Sequence, residues 1–264
     1  MKVSQILAVT LMVCVPAFAW AQVPAVPPAG PPMAPAVGPV APVAAEARDL
    51  LKMLHDRKDT LKDFYADIDY SVKNPSDDSL TGKTGKVSFI MDPNRGPIFS
   101  ADFDVNTVEG KPKAKYHVQF IFDGKDFTIK DFGLDGNTKQ FVRSTVLPPG
   151  AKPGDAVSLN GAMTLPIGLD VDDVIKTFEV TLLPSKDAGA PMLKLVPRQK
   201  ENFSYASLKV TVDKKTQLPV TLTQTAPDGT ETTITLTNIV INPGTAKMLD
   251  SSTPVALGWT ERGK

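Results

Sequence analysis

Phe64-Tyr65-Ala66-Asp67-Ile68-Asp69-Tyr70-Ser71-Val72-Lys73 decides how the rest of the chain is read. Phe64, Ala66, Ile68, Tyr70 and Val72 alternate with Tyr65, Asp67, Asp69, Ser71 and Lys73. Successive side chains of a strand point to opposite faces, so a period of two marks a half-buried β-strand. The pattern recurs about ten more times before Asn242, each stretch closed by Gly, Asp, Asn or Pro. Strands are predicted over 64–73, 85–91, 97–105, 114–122, 126–132, 139–145, 178–183, 192–196, 206–212, 218–225 and 230–241. Asp123-Gly124-Lys125, Asp135-Gly136-Asn137 and Asp228-Gly229 supply residues that tolerate positive φ in tight hairpins, which makes the neighbours antiparallel.

Outward from these strands, two segments have helical spacing. Residues 44–62 place Ala47, Leu50, Leu51, Leu54 and Leu61 on one face, and 169–177 place Val171, Val174 and Ile175 behind a capping Asp170. Between the meanders, 147–163 carries Pro148, Pro149, Gly150, Pro153, Gly154 and Gly161 and reads as a flap or connector. A long antiparallel sheet twists and curls. The expected fold class is therefore α+β, mostly β: an open, incomplete antiparallel barrel of about 11 strands with two helices covering its concave face.

The N-terminus reads as an export signal, with Lys2 before the apolar run 6–15 and small residues at Ala19 and Ala21, so cleavage is expected after Ala21. Leu11-Met12-Val13-Cys14 has the outline of a lipoprotein box, which leaves lipidation at Cys14 as the alternative. Cys14 is the one cysteine of the chain, so the processed protein would have no thiol chemistry and no disulfides. Residues 22–43 are a Pro/Ala-rich linker with eight prolines in 23–43, expected as an extended polyproline arm. The folded domain is expected over 44–258, with 259–264 as a tail. Loss of Lys2 with the leader leaves 28 basic against 29 acidic residues, a net charge of −1 with no basic field for nucleic acid.

Residues able to do chemistry are scarce. His55 sits beside Leu54 on the helix and His117 between Tyr116 and Val118 on a strand, and neither lies at ligand spacing from a Glu. Asp170, Asp172 and Asp173 fit the first turn of a helix better than a metal cluster. Nucleophile elbows, phosphate loops and dinucleotide fingerprints are missing from the sequence, so no enzyme, metal or cofactor is expected. The aromatic residues are the distinctive set. An ordinary packed core and a ligand cavity both fit the inward stripe of Ile68, Tyr70, Phe89, Met91, Phe99, Phe103, Phe120, Phe122, Phe127 and Ile129.

The order helix, meander, Pro/Gly loop, helix, meander resembles the outer-membrane lipoprotein carrier (LolA-like) family over residues 45–258. The resemblance rests on Gly85-Lys86-Val87-Ser88-Phe89, on Phe122-Asp123-Gly124-Lys125 running to Lys139-Gln140-Phe141, and on Leu193-Lys194-Leu195-Val196-Pro197-Arg198. Asp228-Gly229-Thr230-Glu231-Thr232-Thr233-Ile234 and Leu236-Thr237-Asn238-Ile239 resemble its closing hairpin. It implies a periplasmic protein whose half-barrel holds acyl chains of lipoproteins or lipids and exchanges them with inner- and outer-membrane envelope proteins. The family's Arg-Pro pair, whose Arg helps hold the lid closed, is similar to Asn94-Arg95-Gly96-Pro97, with a glycine inserted; the lid role falls to Arg95. Relatives that sense stress signals leave a second expectation, a non-carrier interaction or sensor module at the cell envelope.

Overall fold

All eleven expected strands form, and each pairs with its chain neighbour except across one seam. The computed structural model describes residues 43–133, 139–145, 167, 169–200, 203, 205–251 and 259–261. The expected leader, Cys14, the arm up to residue 42 and the 147–163 loop lie outside the described residues. The first meander is β1 (Asp63–Lys73), β2 (Leu80–Asp92), β3 (Gly96–Val108), β4 (Lys111–Phe122), β5 (Asp126–Asp131) and β6 (Gln140–Thr145). The second is β7 (Phe178–Leu183), β8 (Met192–Pro197), β9 (Ser207–Asp213), β10 (Leu218–Thr225) and β11 (Glu231–Ile241). Antiparallel pairing of β1 with β11 joins the two meanders into one sheet, with Phe64 opposite Ile241 and Tyr70 opposite Ile234. The sheet is open, with β7 at one edge and a short β12 (Thr260–Glu261), parallel to β6, at the other. Residues 259–264, expected as a tail, thus contribute a strand, and a two-residue strand has no period to read.

Gly85 is where the first meander bends. The β2–β3 register shifts between Thr84 and Gly85, and a Cβ at Gly85 would lie 2.0 Å from the Asp102 carbonyl oxygen. Only glycine admits this backbone approach, and the bulge increases local twist.

The helices are α1 (Ala45–Asp56) and α2 (Val171–Thr177). Ala47, Leu50, Leu51 and Leu54 of α1 are buried at the spacing the sequence predicts. The helix is shorter than the expected 44–62: Arg57–Asp59 tighten into a 3₁₀ turn and the chain extends at Leu61. Leu61 carries the apolar period onward but packs in a different cluster, among the phenylalanines of the first meander. The Asn242 side chain holds this exit, accepting from the Lys62 amide at 2.8 Å and donating to the Thr60 carbonyl at 2.9 Å.

The sequence expects one apolar face, yet over β3–β6 the opposite face is also covered. Ile98, Ser100, Ile121, Thr128 and Lys130 point away from the phenylalanines and are buried. The C-terminal segment runs over them. The Leu249 amide donates to Ser100 Oγ at 3.2 Å, Arg143 donates to the Ser251 carbonyl at 2.6 Å, and the Lys130 ammonium donates to the Asp250 carbonyl. Trp259 lies edge-on to Phe132, which stacks on His117 at 3.9 Å. No helix among the described residues is long and apolar enough to cross a membrane.

Candidate functional site

Among the described residues, strand register places the two large apolar clusters on one face of the sheet. Tyr70, Ile234, Leu222, Val210, Leu193 and Leu182 are successive cross-strand partners, and directly opposed residues share a face. At the β7–β10 end this inner face is closed. Leu51 and Leu54 of α1 and Val174 of α2 pack on Leu193, Leu195 and Val210, leaving a cavity of about 10 Å³, enough for about one water. The helices therefore cover one half of the inner face. α1 ends at Asp56, before it can reach the first meander.

The other half, on β1–β5 and β11, carries the expected aromatic stripe. All ten candidate residues lie there, in two tiers. Ile68, Phe89, Phe99, Phe103 and Phe122 form a floor, at most 6% exposed, with Phe64 stacked on Phe89 at 5.0 Å. Tyr70, Met91, Phe120, Phe127 and Ile129 form an upper, half-buried tier packed against it. The upper rings are contiguous: Tyr70 to Phe120 is 6.1 Å edge-on and Phe120 to Phe127 5.9 Å. The floor holds the sheet together; the upper tier is the apolar surface able to meet a ligand.

The upper tier ends in polar groups. Tyr116, whose ring packs against the cluster, donates from its hydroxyl to Asp131 at 2.8 Å. Lys83, opposite Tyr70 on β2, holds its ammonium 5.5 Å from the Tyr70 ring centroid. Burial pushes the Lys83 ammonium below its ordinary range and the Tyr70 phenol above its own; the Asp131 charge partly opposes the first shift and a hydrogen bond to Thr232 the second. The sequence reading missed Lys83. Its parity with Val87, Phe89 and Met91 carried the signal, since residues two apart share a face.

Arg95 takes a different place from the one the family resemblance implies. Its guanidinium bonds Asp92 within the β2–β3 turn, at 2.9 Å and 3.2 Å, an exposed pair three residues apart. Its backbone abuts the β4–β5 turn, where a Cβ at Gly124 (φ +96°) would lie 2.8 Å from the Arg95 carbonyl. The Asp92 side chain also accepts from the Asn94 and Arg95 amides, which closes the turn; the 147–163 segment expected as the flap lies outside the described residues.

Other polar residues have structural partners. His55 Nδ1 lies 2.7 Å from the Leu169 carbonyl, which can only accept, so Nδ1 is the donor, and Nε2 is 3.2 Å from Lys58 Nζ. His117 Nε2 is 2.7 Å from Asp102 Oδ1, on the outer face. Asp170 caps α2, accepting from the Asp172 and Asp173 amides at 3.0 Å each, and Asp172 pairs with Arg48 of α1 at 3.2 Å. This set ties α1 to α2.

No protein-family model and no curated protein matches the sequence. Solved structures that resemble the chain include MucB, at 13% identity and a TM-score of 0.45, covering 79% of this chain and 64% of that one. The chain thus spans less than two thirds of MucB. LprF from Mycobacterium bovis is 14% identical with a TM-score of 0.39, covering 80% of this chain and 99% of its own. A LolA superfamily protein from Nitrosomonas europaea is 10% identical with a TM-score of 0.31, covering 80% and 96%.

Proposed function

We propose that the protein is a non-catalytic binding protein for acyl chains, taking up lipoproteins or lipids in the periplasm and passing them between envelope partners. The observation that carries this reading is the half-buried run Tyr70, Phe120 and Phe127, on the half of the inner face that the helices leave free. Rings without a full covering supply apolar area to a ligand. Each methylene buried against them contributes ~0.8 kcal/mol, so a chain of lipid length can be held without covalent chemistry. The floor beneath the rings is fully buried, so occupancy need not disturb the fold. Export places such a protein between two membranes, where acyl chains cross water only when covered.

Native mass spectrometry of the protein isolated from its own envelope tests this, together with uptake of a fluorescent fatty acid. Bound lipid and saturable uptake are expected. A protein that carries no lipid and takes up no probe is instead an interaction or sensor module.

A further inference from the structure

Lys83 is an unexpected residue on an apolar row. It faces Tyr70 across β1 and Asn106 across β3, so its side chain leaves the sheet on the phenylalanine side. Burying an ammonium there costs solvation, and the depressed pKa records that cost. Asp131, the acid whose charge acts on it, already accepts from the Tyr116 hydroxyl at 2.8 Å and from the Gly133 amide at 2.8 Å. Among the described residues the ammonium has no ion pair within 4.0 Å, only the face of the Tyr70 ring. Tyr70 is also the first ring of the half-buried run through Phe120 to Phe127. A cation therefore stands at one end of an apolar track. From Tyr70 the track runs 6.1 Å to Phe120 and a further 5.9 Å to Phe127, enough for the first part of an acyl chain.

Resting on the acyl-chain reading above, we infer that the inner face selects amphiphiles with an anionic head, a carboxylate or a phosphate, seated on Lys83 with the tail along Tyr70, Phe120 and Phe127. An anion compensates the ammonium for the water that burial removed, in a partly buried setting where a charged hydrogen bond is strong. A neutral head of the same chain length buries the same methylenes and leaves the cation unpaired. Head discrimination is thus separate from tail affinity.

Equilibrium titrations of the full chain with hexadecanoate, hexadecyl phosphate and hexadecanol, with inorganic phosphate as competitor, test the assignment. The two anions are expected to bind at least about tenfold more tightly than the alcohol. Lys83→Met should bring them to the alcohol's affinity, and Lys83→Arg should keep the preference. Equal binding of acid and alcohol by the unmodified protein overturns the inference and leaves acyl binding standing, a comparison that needs no variant to fold. Preference surviving in Lys83→Met overturns it too. Displacement of hexadecyl phosphate by equimolar inorganic phosphate identifies a free-anion site and excludes the tethered head. Binding of none of the three amphiphiles removes the acyl reading itself.

Discussion

The two halves of the inner face use the same strand pattern and differ in what lies on top. Over β7–β10, the apolar row meets α1 and α2 and closes to a gap of about 10 Å³. Over β1–β5 and β11, a comparable row is richer in aromatics and has an upper tier that stays half-buried. Alternation in a strand specifies that a face must be covered, and by itself it does not specify the cover. One half solves the problem with its own helices. The other keeps rings at its surface, and there the fold has apolar area to offer.

Substituting an aspartate into each half separates them most sharply. Leu193→Asp puts a carboxylate into the closed half, beneath both helices, and should cost more than about 4 kcal/mol and unfold the protein. Phe120→Asp sits in the upper tier, where the carboxylate can reach water; the protein should stay folded, by circular dichroism and urea midpoint, and lose fatty-acid uptake. If Phe120→Asp unfolds as readily as Leu193→Asp, the halves are alike and the phenylalanine half is an ordinary core.

Gly85→Ala, at the bend of the first meander, should cost about 2–4 kcal/mol, because the Asp102 backbone has to move away from the new methyl. It should also weaken acyl binding, since Phe103, next to Asp102 on β3, packs against Phe120 at 5.2 Å.

Alkaline titration reads the closed half. Burial pushes the Tyr205 phenol up from 10.0 to about 12, so the folded state keeps a proton that the unfolded chain releases above pH 10. The contribution is complete below pH 10 and is lost as pH rises through about 12, a change of about 2–3 kcal/mol visible as a falling urea midpoint. Tyr205→Phe should flatten that part of the curve. Smallest is Arg48→Ala: the pair with Asp172 is exposed on both sides and should be worth less than about 0.5 kcal/mol, with no change in uptake.

The strands were legible to within about three residues, except that β2 begins at Leu80 and not at 85, because a period of two survives in the sequence whatever covers it. The ten stripe residues were legible for the same reason: parity alone puts Phe99, Phe120 and Phe127 on one side. What lay on them was not, since the apolar stripe of 44–62 runs on to Leu61 although the helix ends at Asp56, and a helical period cannot report which of two clusters receives its last residue. For Arg95 the motif gives a position and no partner; among the described residues its guanidinium pairs with Asp92, three residues away. The outer covering of β3–β6 had a trace in sequence, Ile98 and Ile121 at outward positions, but Met248 to Ser251, which cover it, have no periodicity.

The seam between β1 and β11 also governs the order in which the molecule can assemble. Phe64 is opposite Ile241, a partner 177 residues later in the chain, so β1 emerges from the ribosome long before the strand that completes it. Until β11 arrives, the first meander has an unpaired edge beside its richest run of phenylalanines. Closing so distant a contact pays loop entropy early, which places folding on the slow, millisecond-to-second side for a β-protein. The sheet is finished only when nearly all of the chain is present.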